Sequence, residues 1–304
     1  MIIPKTLEKG DKVAIIAPAG LISKQPVNTA ITLLNDNGYE TIKGRHVNEK
    51  FHKFAGTDKQ RLEDLQQMLD SPSIKAIFCA RGGYGLARIW HRVDLSIFKQ
   101  YPKWIVGYSD VTILHQLLLK KTSTVSIHGE MPLHFSIDEK LKNESFNSII
   151  NILTGKYPCY NIASHPLNIQ GEAKGVLTGG NLSVLYSLLG TPLDPETRDK
   201  ILFIEDTGEY LYHIDRMMMS LYHAGKLSNI KGLIVGGMTC MKETPEEYGK
   251  TACEIIHGLA QQYNIPVAFG FPAGHQKENL ALMHGHEILL NVSPSCCKVE
   301  FIKN

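Results

Sequence analysis

Lys103-Trp-Ile-Val-Gly-Tyr-Ser-Asp-Val-Thr-Ile-Leu-His-Gln-Leu-Leu-Leu-Lys-Lys121 is the stretch on which the reading of the fold depends. Lys103–Val106 is a short apolar run, as in a strand buried on both faces. Gly107-Tyr108 is a turn signal. From Ser109 to Lys121, Val111, Leu114, Leu117 and Leu118 recur at helical spacing on one face. A buried strand passing through a tight turn into an amphipathic helix is one unit of a parallel α/β sheet.

The same unit repeats on either side. Lys12–Ala17 is a continuous apolar run entering Pro18-Ala-Gly20, followed by a helical pattern over Val27–Asn37 that stops at Gly38. Thr57–Asp70 predicts the clearest helix, with Leu62, Leu65 and Leu69 at i, i+3 and i+7, and Ile74–Cys79 predicts a strand running into Arg81-Gly-Gly-Tyr-Gly85. After the helical stretch Asn143–Leu153, Tyr157–Ile169 carries Pro158 and Pro166 with no sustained period, which predicts a linker. The expected domains are residues 1–156, the linker 157–169, and 170–304. In the last, strand signals (Gly175–Leu177, Lys200–Ile204, Lys231–Val235, Leu280–Val292, Lys298–Ile302) mix with helical ones (Asn181–Leu189, Tyr212–Tyr222 and within Glu243–Tyr263), so a mixed α+β domain is expected.

Composition narrows the function. The 304 residues suffice for about two domains at ~150 each, and the hydrophobic fraction of 43% is that of a globular chain. Thirty-two Lys and Arg against thirty Asp and Glu leave +2, too balanced for a nucleic-acid binder. No apolar run reaches the ~20 residues of a membrane span. Met1–Gly10 lacks the order of a signal peptide, and the six cysteines form no C-x-x-C pair, so a cytoplasmic protein with reduced thiols is expected.

Chemistry is expected in loops at the carboxyl ends of parallel strands. Gly107-Tyr108-Ser109-Asp110-Val111 has the layout of a nucleophile elbow without its second glycine; the competing reading is a serine N-cap, which this segment alone favours. Gly82-Gly83 suits a phosphate cradle, an oxyanion hole or a plain tight turn. Ile201–Ile204 runs into Glu205-Asp206, two acids at a strand end. Among thirteen histidines, His275 lies on a loop while His284 and His286 alternate on a strand; spacing does not choose among them, and no third ligand supports a metal at the latter pair.

These segments together resemble the LD-carboxypeptidase (murein tetrapeptide carboxypeptidase) family over nearly the whole chain. The matching motifs are Val13-Ala-Ile-Ile-Ala-Pro-Ala-Gly20, Ala80-Arg-Gly-Gly-Tyr-Gly85, Val106-Gly-Tyr-Ser-Asp110, His128-Gly-Glu-Met-Pro132, Leu177-Thr-Gly-Gly-Asn-Leu182, Ile204-Glu-Asp206 with Tyr212-His-Ile-Asp-Arg216, and Gly270-Phe-Pro-Ala-Gly-His275. The resemblance implies a flavodoxin-like N-terminal domain with a mostly parallel sheet, a β-rich C-terminal domain, a cleft between them, and a homodimer. It implies a Ser-Glu-His triad of Ser109, Glu205 and His275. The expected activity is serine-type hydrolysis of the bond to the terminal D-alanine of murein tetrapeptide, a small peptide substrate, in peptidoglycan recycling. On that reading the N–H groups of Asp110 and of Gly83, preferred to Gly82, hold the oxyanion, and no metal or organic cofactor is needed. Three alternatives stand beside it: a microcin C immunity-type peptidase cleaving acyl-sulfamoyl adenylates with the same triad, a non-enzymatic small-ligand binder, and an amidotransferase-like enzyme with Cys79 as nucleophile.

Overall fold

The computed structural model describes residues 1–135 and 140–303. The chain divides into two compact units, one of Met1–Lys156 with Lys277–Met283, the other of Tyr157–Gln276 with His284–Asn304.

In the first unit, β1 (Lys12–Ile16), β2 (Glu40–Lys43), β3 (Ile74–Cys79), β4 (Trp104–Gly107) and β5 (Ser126–His128) pair in parallel in the order β5-β4-β3-β1-β2. This is the flavodoxin-like 2-1-3-4-5 order, whose direction reverses between β1 and β3. Leu282–His284, late in the chain, forms the edge beside β5. Helices cover the sheet, and β1, β3 and β4 are buried along nearly their whole length, which is why they read as unbroken apolar runs. The Asp58–Asp70 helix begins at a capping box: Thr57 Oγ1 accepts the Gln60 N–H, and the Gln60 side chain accepts the Thr57 N–H. Leu65, Met68 and Leu69 turn inward from it, and so does Arg61.

The second unit is built on a seven-stranded sheet. β6 (Cys159–Ala163), β7 (Gly171–Asn181), β8 (Lys200–Thr207), β9 (Gly232–Thr239) and β10 (Val267–Ala268) are joined, after the Leu282–His284 strand (β11), by β12 (Glu287–Val292) and β13 (Cys296–Phe301). The order is β10-β9-β8-β7-β12-β13-β6, parallel from β10 to β7 and antiparallel from β7 to β6. The parallel half packs Leu202, Ile204, Leu233 and Val235 against Ile214 and Ile256 of the Leu211–His223 and Ala252–Ala260 helices.

Two segments differ from the pattern-based expectation. Tyr157–Ile169, expected as an irregular linker, carries β6, an edge strand whose partner β13 comes from the end of the chain. Leu280–Val292, expected as one strand, breaks at Gly285 (φ +89) into β11 and β12, which belong to different sheets. In both cases the deciding contacts are distant in sequence, so local periodicity does not reveal them.

Candidate active site

β4 ends at Gly107, and the chain passes through extended Tyr108 into Ser109 at φ +64, a left-handed conformation uncommon for a residue with a side chain. A short 3₁₀ turn over Ser109–Val111 then leads into the Thr112–Thr122 helix. Ser109 is not the N-cap of either element: the caps are Tyr108 and Val111, and neither makes a side-chain cap bond. The turn therefore does not use serine for the role that local propensity favoured. Where an elbow has its second glycine, this one has Val111, whose methyls would meet a Cβ at Gly107 at 3.0 and 3.2 Å.

The turn is held from below by His115. One imidazole nitrogen, Nε2, lies 2.8 Å from the Gly107 carbonyl oxygen and the other, Nδ1, 2.8 Å from Ser126 Oγ. Burial pushes the His115 pKa down to about 4, so the ring is neutral at physiological pH. A neutral ring in this place donates from Nε2 to the carbonyl and accepts the Ser126 hydroxyl at Nδ1.

The loops after β1 and β3 close over Ser109. Gly20 N donates to the Gly82 carbonyl at 2.9 Å, and a Cβ at Gly20 would stand 2.6 Å from that oxygen. A Cβ at Gly82 would stand 2.7 Å from Ser109 Cβ and 2.8 Å from Ser109 Oγ. Glycine is thus required at Gly82 by close approach and at Gly83 by conformation (φ +97). Asp110 is buried beside them: its carboxylate accepts the Leu86 N–H at 2.8 Å, and burial raises its pKa to about 6 against the opposing pull of that hydrogen bond and of the Arg61 charge. Cys79, at the end of β3, is fully buried, and that burial, reinforced by the Asp110 charge, raises its thiol pKa far above the usual range. A thiol so held is protonated and inert, which removes the basis for a Cys79 nucleophile.

In the second unit, β8 ends in Glu205-Asp206, and the two acids take different partners. Glu205 is fully buried, and its Oε2 accepts from His275 Nδ1 at 2.7 Å and from the His275 backbone N–H at 3.1 Å. His275 stands on the loop after β10, steadied by Thr239 Oγ1, which donates to its carbonyl at 2.6 Å. Gly274 precedes it at φ +97, and a Cβ there would lie 2.5 Å from Glu205 Oε2; only glycine lets the carboxylate reach the imidazole. Asp206 instead accepts from Asn181 Nδ2 at 3.0 Å and from the N–H groups of Ser183 and Thr207 at 2.8 Å each. Burial first, then the neighbouring Glu205 charge, raises the Asp206 pKa to about 6.

His284 and His286 are placed differently from His275. His284 lies in β11 with Nε2 3.5 Å from Thr178 Oγ1, and His286 Nδ1 lies 2.9 Å from the Glu287 carbonyl. Among the described residues no group of three or more His, Cys, Asp or Glu side chains is placed to hold a metal ion.

The structure therefore groups Ser109, Gly82, Gly83 and Asp110 in the first unit and Glu205 with His275 in the second. Sequence reasoning passed over His115, Thr239 and Arg61. Arg61 did leave a signal, a charged residue four positions before Leu65 on the buried face of its helix.

Comparison with known proteins agrees with these motifs. Residues 13–129 match the model of the LD-carboxypeptidase N-terminal domain, and residues 174–290 that of the LD-carboxypeptidase C-terminal domain. A probable murein peptide carboxypeptidase of Bacillus subtilis is 33% identical over 302 residues, covering 98% of this chain and 94% of that protein. The crystal structure of muramoyltetrapeptide carboxypeptidase from Oxalobacter formigenes superposes with a TM-score of 0.87 at 29% identity, over 96% of this chain and 99% of that one. The microcin C7 self immunity protein MccF, in complex with aspartyl sulfamoyl adenosine, shares the fold with a TM-score of 0.87 at 20% identity, over 99% of both chains. Its two matched domains and a relative aligned along nearly the full length place this chain in the LD-carboxypeptidase family.

Proposed function

We propose that this protein is a serine carboxypeptidase that hydrolyses the bond to the terminal D-alanine of murein tetrapeptide. The observation that carries the reading is Ser109: a non-capping serine in a left-handed conformation at the end of a parallel strand, with a side-chain-free glycine against its hydroxyl. Ser109 Oγ attacks the scissile carbonyl carbon and passes its proton to His275 Nε2, since Nδ1 is engaged by Glu205. The tetrahedral oxyanion is held by the N–H groups of Asp110 and Gly83; losing one such donor typically costs ~10²–10³ in rate. Collapse breaks the C–N bond, the imidazolium returns the proton to the leaving amine, and D-alanine departs. Water, deprotonated by the same histidine, then releases the acyl group from Ser109.

Glu205 orients the ring and stabilises the imidazolium that forms in each half-reaction. We further assign the enzyme to the cytoplasm and to a homodimer acting in peptidoglycan recycling. Six free cysteines suit a reducing compartment, and among the described residues no helix is long and apolar enough to cross a membrane.

The test is mass spectrometry of L-Ala-γ-D-Glu-meso-Dap-D-Ala after incubation with the protein. The expected product has lost one alanine, with no loss from the diastereomer ending in L-alanine and none with Ser109→Ala. An intact tetrapeptide alongside hydrolysis of aspartyl sulfamoyl adenosine would move the assignment to an immunity-type peptidase. An intact tetrapeptide with no fluorophosphonate labelling of Ser109 would leave a binding protein.

A further inference from the structure

Arg61 is a buried cation that touches no solvent and sits beneath the loops that carry Ser109 and its glycines. Its Nη1 donates to the Pro18 carbonyl at 2.8 Å, in the loop after β1. The same nitrogen fills the space that a side chain at Gly85 would need, in the loop after β3. Its charge acts on Asp110, in the turn after β4. Its own counter-ion is Asp58, which also binds Arg88 at 2.9 Å, and its guanidinium lies 5.0 Å from the centre of the Phe54 ring. Arg61 Nε finds no acceptor among the described residues. Burying a guanidinium with one N–H unpaired is a poor way to stabilise a core, where an apolar residue of similar volume does as well or better. What the charge does accomplish here is to bring three strand-end loops to one point.

Asp110 completes the arrangement. It follows the nucleophile directly, so its main chain is part of the Ser109 turn. Its carboxylate reaches across to accept the Leu86 N–H at 2.8 Å. The segment so tied, Gly82 to Leu86, is the one whose glycine lies against Ser109 Oγ.

We propose that Arg61 and the side chain of Asp110 are positioning residues that hold the Gly82–Leu86 turn in register with Ser109, so that the nucleophile and its oxyanion donors keep one geometry. The inference rests on the reading of Ser109 as the nucleophile. It assigns no contact with substrate to either side chain. The groups facing the Asp110 carboxyl are the Arg61 and Lys53 cations, the Cys79 thiol, and the N–H groups of Leu86 and Gly85. Titrating at about 6, Asp110 is ionised and tying the turn at neutral pH, and releases it on acidification.

The experiment compares full-length wild type with Arg61→Met, Arg61→Lys, Asp110→Asn and the Arg61→Met/Asp110→Asn double variant at 20 °C, each checked for folding by circular dichroism. Tetrapeptide turnover and the fluorophosphonate labelling rate of Ser109 are followed from pH 5 to 8. Arg61→Met and Asp110→Asn are expected to lose ten- to a hundredfold in kcat with KM changed less than threefold, and Arg61→Lys to recover most of the loss. The double variant should lose no more than the worse single one, because both act on the same turn. Asp110→Asn should also lower the labelling rate across the profile, most at the neutral end, where the wild-type carboxylate ties the turn. Folded single variants with kcat within twofold of wild type, or losses that simply multiply in the double variant, would overturn the proposal. If Arg61→Met does not fold, Asp110→Asn and its labelling profile decide alone. A wild type that neither turns over the tetrapeptide nor labels at Ser109 would instead refute the underlying assignment of function.

Discussion

Replacing Gly82 by alanine separates chemistry from stability at the proposed nucleophile. The added methyl carbon would stand 2.7 Å from Ser109 Cβ and 2.8 Å from Oγ. Carbon atoms settle at about 3.5–4.0 Å, so the side chain or the turn must yield by roughly 1 Å. A displacement of that size at a reacting atom costs on the order of 10² in rate. The stability cost is smaller. Gly82 does not lie at positive φ, so alanine meets no backbone strain there. Relief of the overlap costs about 1–3 kcal/mol, partly offset by the ~0.4–1 kcal/mol that alanine gains by restricting the unfolded chain. Gly10→Ala, in the turn before β1, is the control. Its φ of +92 opposes alanine by about 1–2 kcal/mol, but a new Cβ there meets nothing within 4 Å and no proposed catalytic group is touched. The assay is D-alanine release with fluorophosphonate labelling, beside urea unfolding of each variant. Gly82→Ala should lose about a hundredfold in kcat/KM and in labelling rate, and Gly10→Ala far less per folded molecule. A Gly82→Ala protein that labels at the wild-type rate would show that the loop after β3 does not constrain Ser109, and the reasoning would fall.

The two adjacent acids at the end of β8 give a second comparison. Glu205→Gln should lose several orders of magnitude in turnover while remaining folded, since an isosteric amide in the orienting position of a serine protease costs about 10⁴; Asp206→Asn should lose far less, and the reverse ranking in steady-state kinetics would transfer the orienting role by one residue. Asp206 also governs a pH dependence of stability. Its folded-state pKa is raised to about 6, so the folded protein keeps a proton that the unfolded chain releases near the ordinary carboxylate value. That contribution is complete below about pH 4 and is lost as the pH rises through 6, on the order of 3 kcal/mol in all. Wild type minus Asp206→Asn, from urea midpoints at pH 4 to 7, should therefore fall with rising pH; a flat difference would mean that Asp206 is not the titrating group.

How much of this was legible in the sequence follows the range of the forces involved. Lys12–Ala17, Ile74–Cys79 and Lys103–Val106 read as strands because a strand buried on both faces has to be apolar at every position. The Thr57–Asp70 pattern reads as a helix because a capping threonine and a 3.6-residue leucine stripe are both local signals. Motif order along the chain, matched to a known family, chose Ser109, Glu205 and His275 as the proposed triad where spacing left the histidine open.

Tertiary structure decided what depends on groups distant in sequence. A capping serine and the proposed nucleophile occupy the same place before a helix; the packed turn, with Gly82 and Val111 around it and Ser109 at φ +64, shows that Ser109 is not the cap. His275 stands apart from His284 and His286 because the Glu205 carboxylate, seventy residues earlier, reaches its ring, and reaches it only because Gly274 has no side chain. β6 and β11 took their places from strands far away in the chain, which no local period encodes. Arg61 was passed over in the sequence; its place came from the Pro18 carbonyl forty-three residues before it and from the space left at Gly85. Periodicity and capping are set within a few residues of chain, whereas close approach, burial of charge and left-handed backbone conformations exist only once remote segments have packed together.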